Sequence, residues 1–324
     1  MTRAIFLLIA LLLAMPLVAQ TPEPEKPDLA ELWRVGSLWQ VGDNVEPVNE
    51  ARKKLVEAGD DGLKFTLTKL DITDTLQIRC LQVVIRGFGD KAVKPLTDRV
   101  GAESEHARRN VAELLTMLDA RDSADALLAQ IVQEKALGPK LAQAAALAKW
   151  QVSAVVPTLV ELSHSETQRV RHRVTTLLAQ FEEEDAVARL VAMLDDTTYY
   201  VRVGAQEALK TAPPTVRARC LGILRTELEQ DAASQDTGRL RRLLPVVATI
   251  AHADTPLLLL KTLGHAQGAV RGDAASALAA WKAGAGMLDK THDISAALKR
   301  AHDAETDPFA KAELAKALQS VTGK

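Results

Sequence analysis

Histidine and cysteine are the residues of this 324-residue chain with the widest chemical reach, seven of the first and two of the second. His164 and His172 stand eight apart, and His292 and His302 ten apart, each of the latter followed by aspartate (Asp293, Asp303). Neither spacing is the i, i+4 that sets two imidazoles on one helix face, and no H-E-x-x-H occurs. The His-Asp dipeptides lack the further ligands that a metal-dependent phosphohydrolase needs. There is no G-x-S-x-G and no glycine-rich phosphate loop. No catalytic, metal-binding or cofactor-binding residue is expected, and the histidines read as solvated turn residues.

Cys80 and Cys220 fall in helices four repeats apart on the periodicity described below. At roughly 10 Å per packed helix they would be about 40 Å apart, well beyond the roughly 7 Å reach of a disulfide. Both are expected to be buried small hydrophobes.

Arginine and tyrosine carry what recognition chemistry there is. Basic clusters lie at 169–173, 217–225 and 239–242, offset by acidic runs such as Glu182 to Asp185, and the formal net charge is −2. That balance excludes a nucleic-acid footprint. Tyr199 and Tyr200 are the only tyrosines. Together with Arg239 and Arg242 they converge on the first irregular insertion, and aromatic and arginine anchors dominate protein interfaces. These four residues are the expected protein-binding positions. Trp33 and Trp39 are expected to cap the open end of the chain's core. Trp150 and Trp281, each ten past a repeat marker, are expected to pack inside it.

The element that must position these side chains is a repeated pair of helices. Val170, Val174, Leu177 and Leu178 form one apolar stripe, and Ala186, Val187, Leu190, Val191 and Leu194 a second. Val201, Ala205, Ala208 and Leu209 then repeat the first stripe 31 residues on. A basic or polar marker opens each unit: Asn49, Arg79, Arg108, Lys140, Arg171, Arg202, Arg241, Arg271 and Lys311. The steps are 30, 29, 32, 31, 31, 39, 30 and 40 residues, so two insertions, at Glu227–Thr237 and Ala283–Asp293, lengthen the period. Such insertions form loops, often on a binding face. Three residues after the marker an apolar side chain is usual, but Arg52, Gln82 and Gln143 depart from that rule. Second helices are expected to begin near Pro95 and Pro157, and at a Thr255 N-cap followed by Pro256. Hydrophobics are 47% but aromatics only 3%, a composition suited to close-packed helices of Ala, Leu and Val. The predicted fold class is all-α, a right-handed α-α superhelix of about nine helix pairs over residues 28–324, growing by stacking rather than around one core.

The V-R-x-x-A-x-x-A-L pattern, with an acidic or turn residue about five before the marker (Asp74, Glu166, Asp196, Asp236), resembles the short HEAT repeats of phycobilisome lyase-like proteins. The resemblance implies a ladder in which the acidic turn residue and the helix arginine link neighbouring repeats. Carried over by position, Asp196 with Arg202 and Glu166 with Arg171 are rungs. Asp74, Arg79, Arg108, Arg241 and Arg271 stand at the other rung positions, and Asn49, Lys140 and Lys311 imply weaker ones.

Residues 1–19 read as a secretory signal, with Arg3, an apolar run from Ala4 to Leu13 and a small-residue site ending at Ala19. Residues 20–27, rich in proline, read as an extended tether. The expected function is a non-enzymatic protein-binding scaffold or adaptor of the bacterial cell envelope, periplasmic or secreted, without membrane insertion once the signal is cleaved. The alternative is a chromophore lyase-like protein or a regulatory subunit of an envelope enzyme.

Overall fold

The computed structural model describes residues 27–230, 237–285 and 294–323, with no account of the side chains of Gln230 and residues 282–285. The signal segment, most of both insertions, Asp236, His292 and Asp293 lie outside the described residues. Within them every regular element is helical, with eighteen α-helices, four short 3-10 turns and no strand. The all-α repeat expected from the periodicity is therefore present. The chain divides after Phe88 into two compact units.

The first unit holds α1 (Leu29–Gly36), α2 (Val45–Glu57), α3 (Gly59–Leu67) and α4 (Thr75–Phe88). Asp28 caps α1 by accepting from the amides of Ala30 and Glu31, and Asp74 caps α4 through Leu76 and Gln77. Val48, Leu55, Cys80, Val84 and Ile85 are fully buried between the helices. Arg52 explains its own departure from the apolar rule. Its Nε donates to the carbonyl of Gly36 at 2.8 Å and Nη1 to Gln40 at 3.1 Å, so a buried cation finishes the C-terminus of α1. Trp33 packs edge-on to Phe65, as a core residue should. Trp39 does not, since it is 58% exposed with the Arg79 guanidinium 6.0 Å from its ring centre.

The second unit runs α5 (Asp90–Thr97), α6 (Glu105–Met117), α7 (Ala124–Ile131), α8 (Leu137–Lys149), α9 (Val156–Leu162), α10 (Gln168–Leu178), α11 (Glu184–Ala192), α12 (Tyr199–Thr211) and α13 (Pro214–Gln230). It continues with α14 (Gly238–Val247), α15 (Asp254–Thr262), α16 (Gly268–Ala285), α17 (Ile294–Ala304) and α18 (Pro308–Thr322). Six pairs, from α6/α7 to α16/α17, thus stand between single helices α5 and α18. First helices pack side by side in order from α6 through α8, α10, α12, α14 and α16 to α18, and α9, α11, α13 and α15 do the same behind them. The apolar stripes face inward: Val170, Val174, Leu177, Leu178, Ala186, Val187, Leu190 and Val191 are all buried. Each fully buried Val or Leu contributes about 1.5–3 kcal/mol. At the last interface Gly272 lets α16 approach α18 closely, because a Cβ there would sit 3.0 Å from Phe309 and 3.3 Å from the Ala310 backbone.

Some local expectations shift. Thr255 is not an N-cap; α15 already starts at Asp254, and the buried Thr255 hydroxyl donates to the carbonyl of Ile250 at 2.9 Å. Pro157 is in the first turn of α9, whereas Pro95 lies deep in α5. Part of each insertion is helix rather than loop: α13 reaches 17 residues and α16 reaches 18.

Candidate protein-binding surface

The arginine ladder sets the register of the surface. Arg171 directs Nε and Nη2 at the carboxylate of Asp196, 2.8 and 3.0 Å away across the repeat boundary. Its Nη1 donates to the carbonyls of Ser165 and Glu166, just before its own helix. Arg108 repeats the arrangement with Glu134 at 2.6 and 3.0 Å and the carbonyls of Ala102 and Glu103. Arg271 does so with Glu305 at 2.7 and 2.5 Å and the carbonyls of His265 and Ala266. Two-pronged charged pairs of this kind fix geometry as well as adding energy. Each carboxylate also accepts from the backbone amide two residues on, at Ala136, Thr198 and Asp307.

The electrostatics follow. Hydrogen bonding from Arg271 holds the Glu305 carboxyl down at about 2, against its burial. Burial pushes Asp196 and Glu134 up, but the hydrogen bonds from Arg171 and Arg108, with those from the turn amides, leave both below the ordinary carboxylate range.

The expected rung pairing needs correcting. Asp196 gives Arg202 only its backbone carbonyl, at 2.8 Å, and Glu166 likewise gives Arg171 only a carbonyl. The carboxylates that form rungs are Glu134, Asp196 and Glu305, each three residues before the next first helix. That is six before the following marker, and the five-residue offset misses Glu134 and Glu305. Where no acid stands six before the next marker, the marker turns elsewhere. Ser165 stands there for Lys140, which pairs with Glu161, and His265 for Arg241, which pairs with Asp273 inside α16 at 2.5 Å. Arg79 is exposed and Asp74 is a helix cap. For Arg202 the position six before Arg241 lies outside the described residues, as does Asp236.

Tyr199 and Tyr200 open α12 and are 72% and 56% exposed. The Tyr200 ring stacks on His172 of the preceding repeat at 3.9 Å and 17°. Gly204 one turn later makes room, since a Cβ there would lie 2.5 Å from the His172 ring. Burial, reinforced by the charge of Arg173, lowers the His172 pKa and favours the neutral ring. Arg202 sits 5.7 Å from the centre of the Tyr199 ring. Arg242 pairs with Asp195, and Arg239 pairs with Glu227 at 2.5 Å and with Asp195 at 3.8 Å. The two arginines are therefore struts that tie α14 to the turn before α12. Beside them a groove of about 830 Å3 opens between α12, α14 and α16.

Trp150 and Trp281 are both buried, and each indole N–H reaches 31 residues back, to the Asp119 carboxylate and the Ile250 carbonyl, both at 3.1 Å. His164 is exposed, His302 contacts Asp303 at 3.4 Å, and no group of three metal-ligating side chains occurs among the described residues.

Residues 139–210 match the family model for HEAT repeats. No curated protein matches the chain. Among solved structures, importin beta aligns over 91% of this chain at 13% identity with a TM-score of 0.57, and the aligned part is 48% of the importin beta chain. The chain thus spans about half the length of that protein. An engineered protein aligns over 91% of this chain and 84% of its own at 18% identity and a TM-score of 0.47. Human deoxyhypusine hydroxylase aligns over 84% and 99% at 17% identity and 0.31. At those two scores neither likeness supports an argument about this chain. The importin beta alignment shows a shared solenoid fold.

Proposed function

We propose that the chain is a non-enzymatic scaffold that binds a protein partner through the surface around Tyr199 and Tyr200, with Arg239 and Arg242 on its flank. HEAT repeats supply a helical framework suited to protein interaction, and this chain's own contribution is a preorganised aromatic pair. Tyr199, 72% exposed, carries the reading. It projects from the first turn of α12, flanked by the Tyr200–His172 stack and by the Asp195 ion pairs before the helix. A rigid exposed aromatic loses little entropy on binding, and such anchors contribute about 2 kcal/mol or more when truncated.

The place of action in this reading is the cell envelope, reached through the signal-like residues 1–19. No described helix is long and apolar enough to cross a membrane. Mass analysis of the exported protein should find a chain starting at Gln20; retention of residues 1–19 would replace cleavage by anchoring.

A photo-cross-linking amino acid at Tyr199 should capture a partner in cells. The double variant Tyr199→Ala, Tyr200→Ala should keep its helical spectrum and bind that partner at least tenfold more weakly. Unchanged affinity with a lowered melting temperature would assign both rings to packing and overturn the placement. Visible absorbance in the purified protein would instead favour the lyase-like alternative, because that role needs a bound tetrapyrrole.

A further inference from the structure

The groove between α12, α14 and α16 has a built floor. Trp281 is 4% exposed, and its indole N–H is committed to the Ile250 carbonyl, so the ring is fixed in place. Ala277 and Ala280 on α16, Pro245 on α14 and Ala248 just past its end keep the space above it open. Residues this small cannot fill the gap between two first helices. The resulting 830 Å3 is within the range of sites that enclose small ligands.

The walls differ from the floor. Lys210, Arg241 and Arg242 line them against one acid, Asp273. Each cation has a carboxylate partner: Asp273 engages Arg241 through Nε, Asp195 engages Arg242 through Nη2, and Glu207 pairs with Lys210 at 2.9 Å on the same helix. The Nε–H of Arg242 is buried with no acceptor.

We infer that this groove receives an apolar side chain from an acidic segment of a protein partner, the side chain resting on the Trp281 floor and flanking carboxylates meeting Lys210, Arg241 and Arg242. The inference rests on the scaffold reading above and extends it to the partner's chemistry. Charge complementarity selects the occupant: the lining carries three cations and one anion, the partners Glu207 and Asp195 standing outside it. In a second copy the acidic run Glu182–Asp185 follows a buried Phe181, whereas Val45 is exposed beside Asp43 and Glu46, so self-association is the competing outcome that the test separates.

The test pans a randomised short-peptide display library against the full chain and measures the enriched peptides by fluorescence anisotropy. Enriched sequences should carry an apolar residue flanked by aspartate or glutamate. Their dissociation constants should rise at least tenfold in Ala280→Trp, which fills the groove from an exposed position, and at least threefold in Lys210→Glu. Circular dichroism should show both variants folded; if Ala280→Trp is not, Lys210→Glu together with salt dependence decides. Peptides that bind but tolerate both changes, or that are basic, would overturn the groove and leave the scaffold reading standing. No enrichment, together with no partner captured at Tyr199, would remove both. Self-association of the wild-type chain abolished by Ala280→Trp would assign the groove to a second copy and overturn the inference.

Discussion

Arg171 makes five hydrogen bonds: three to Asp196 and Thr198 beyond the repeat boundary and two to carbonyls before its own helix. Removing it strands a carboxylate whose side chain is 8% exposed. Arg171→Ala should therefore cost about 3 kcal/mol. Arg109→Ala breaks only an exposed i, i+4 pair with Glu113 and should cost about 0.5 kcal/mol or less. Urea midpoints compare the two, and equal midpoints would remove the ladder's energetic role. Glu305 gives the ladder a pH signature. Its folded pKa of about 2 lies below the ordinary 4.5. The stabilisation is thus complete above 4.5 and is lost as pH falls from there towards 2, about 3 kcal/mol in all. Glu305→Gln should be less stable at pH 7 and flatter between pH 5 and 3. Arg108, Arg171 and Arg271 were legible as rung arginines, Arg79 and Arg241 are not rungs, and the acids were half legible. A pattern records which side chains recur, whereas the turn decides whether a side chain or a backbone carbonyl faces the guanidinium.

At the scale of the helix, the repeat shows where it tolerates a misfit. Gln143 sits in α8 where most repeats place an apolar residue; it is fully buried, and neither amide atom has a hydrogen-bond partner. Gln143→Leu keeps the approximate volume and removes an unsatisfied amide. It should stabilise the protein by about 1–3 kcal/mol, seen as a higher melting temperature. A lower one would mean that the amide has a role the packing does not reveal. Its departure was visible in the sequence, as was that of Arg52, and only the surroundings tell the two apart. One finishes a helix through the Gly36 carbonyl, and the other finds nothing. Helix starts were less legible. Thr255 has the composition of a cap, yet the turn after α14 offers its hydroxyl the Ile250 carbonyl, and α15 begins earlier.

Across the whole chain, the periodicity runs through residues 28–324 without announcing a boundary, and the division after Phe88 became apparent only in the packing. The groove was equally hidden, because its lining comes from positions between 206 and 281 on three helices that no local motif connects. The cysteines were read correctly as buried: Cys80 and Cys220 are free thiols and fully covered, and burial raises both, Cys220 to about 12. Reducing agent should leave the melting temperature unchanged. Because each unit holds one of these thiols, the chain carries a pair of escape clocks. An alkylating reagent added under native conditions can mark Cys80 only when the first unit breathes, and Cys220 only when the second does. Peptide mass analysis over time would read the two dials separately, with no label engineered in. The smaller unit has less buried surface to lose, so Cys80 should be marked first; a single shared rate would show that the repeats on both sides of Phe88 open as one.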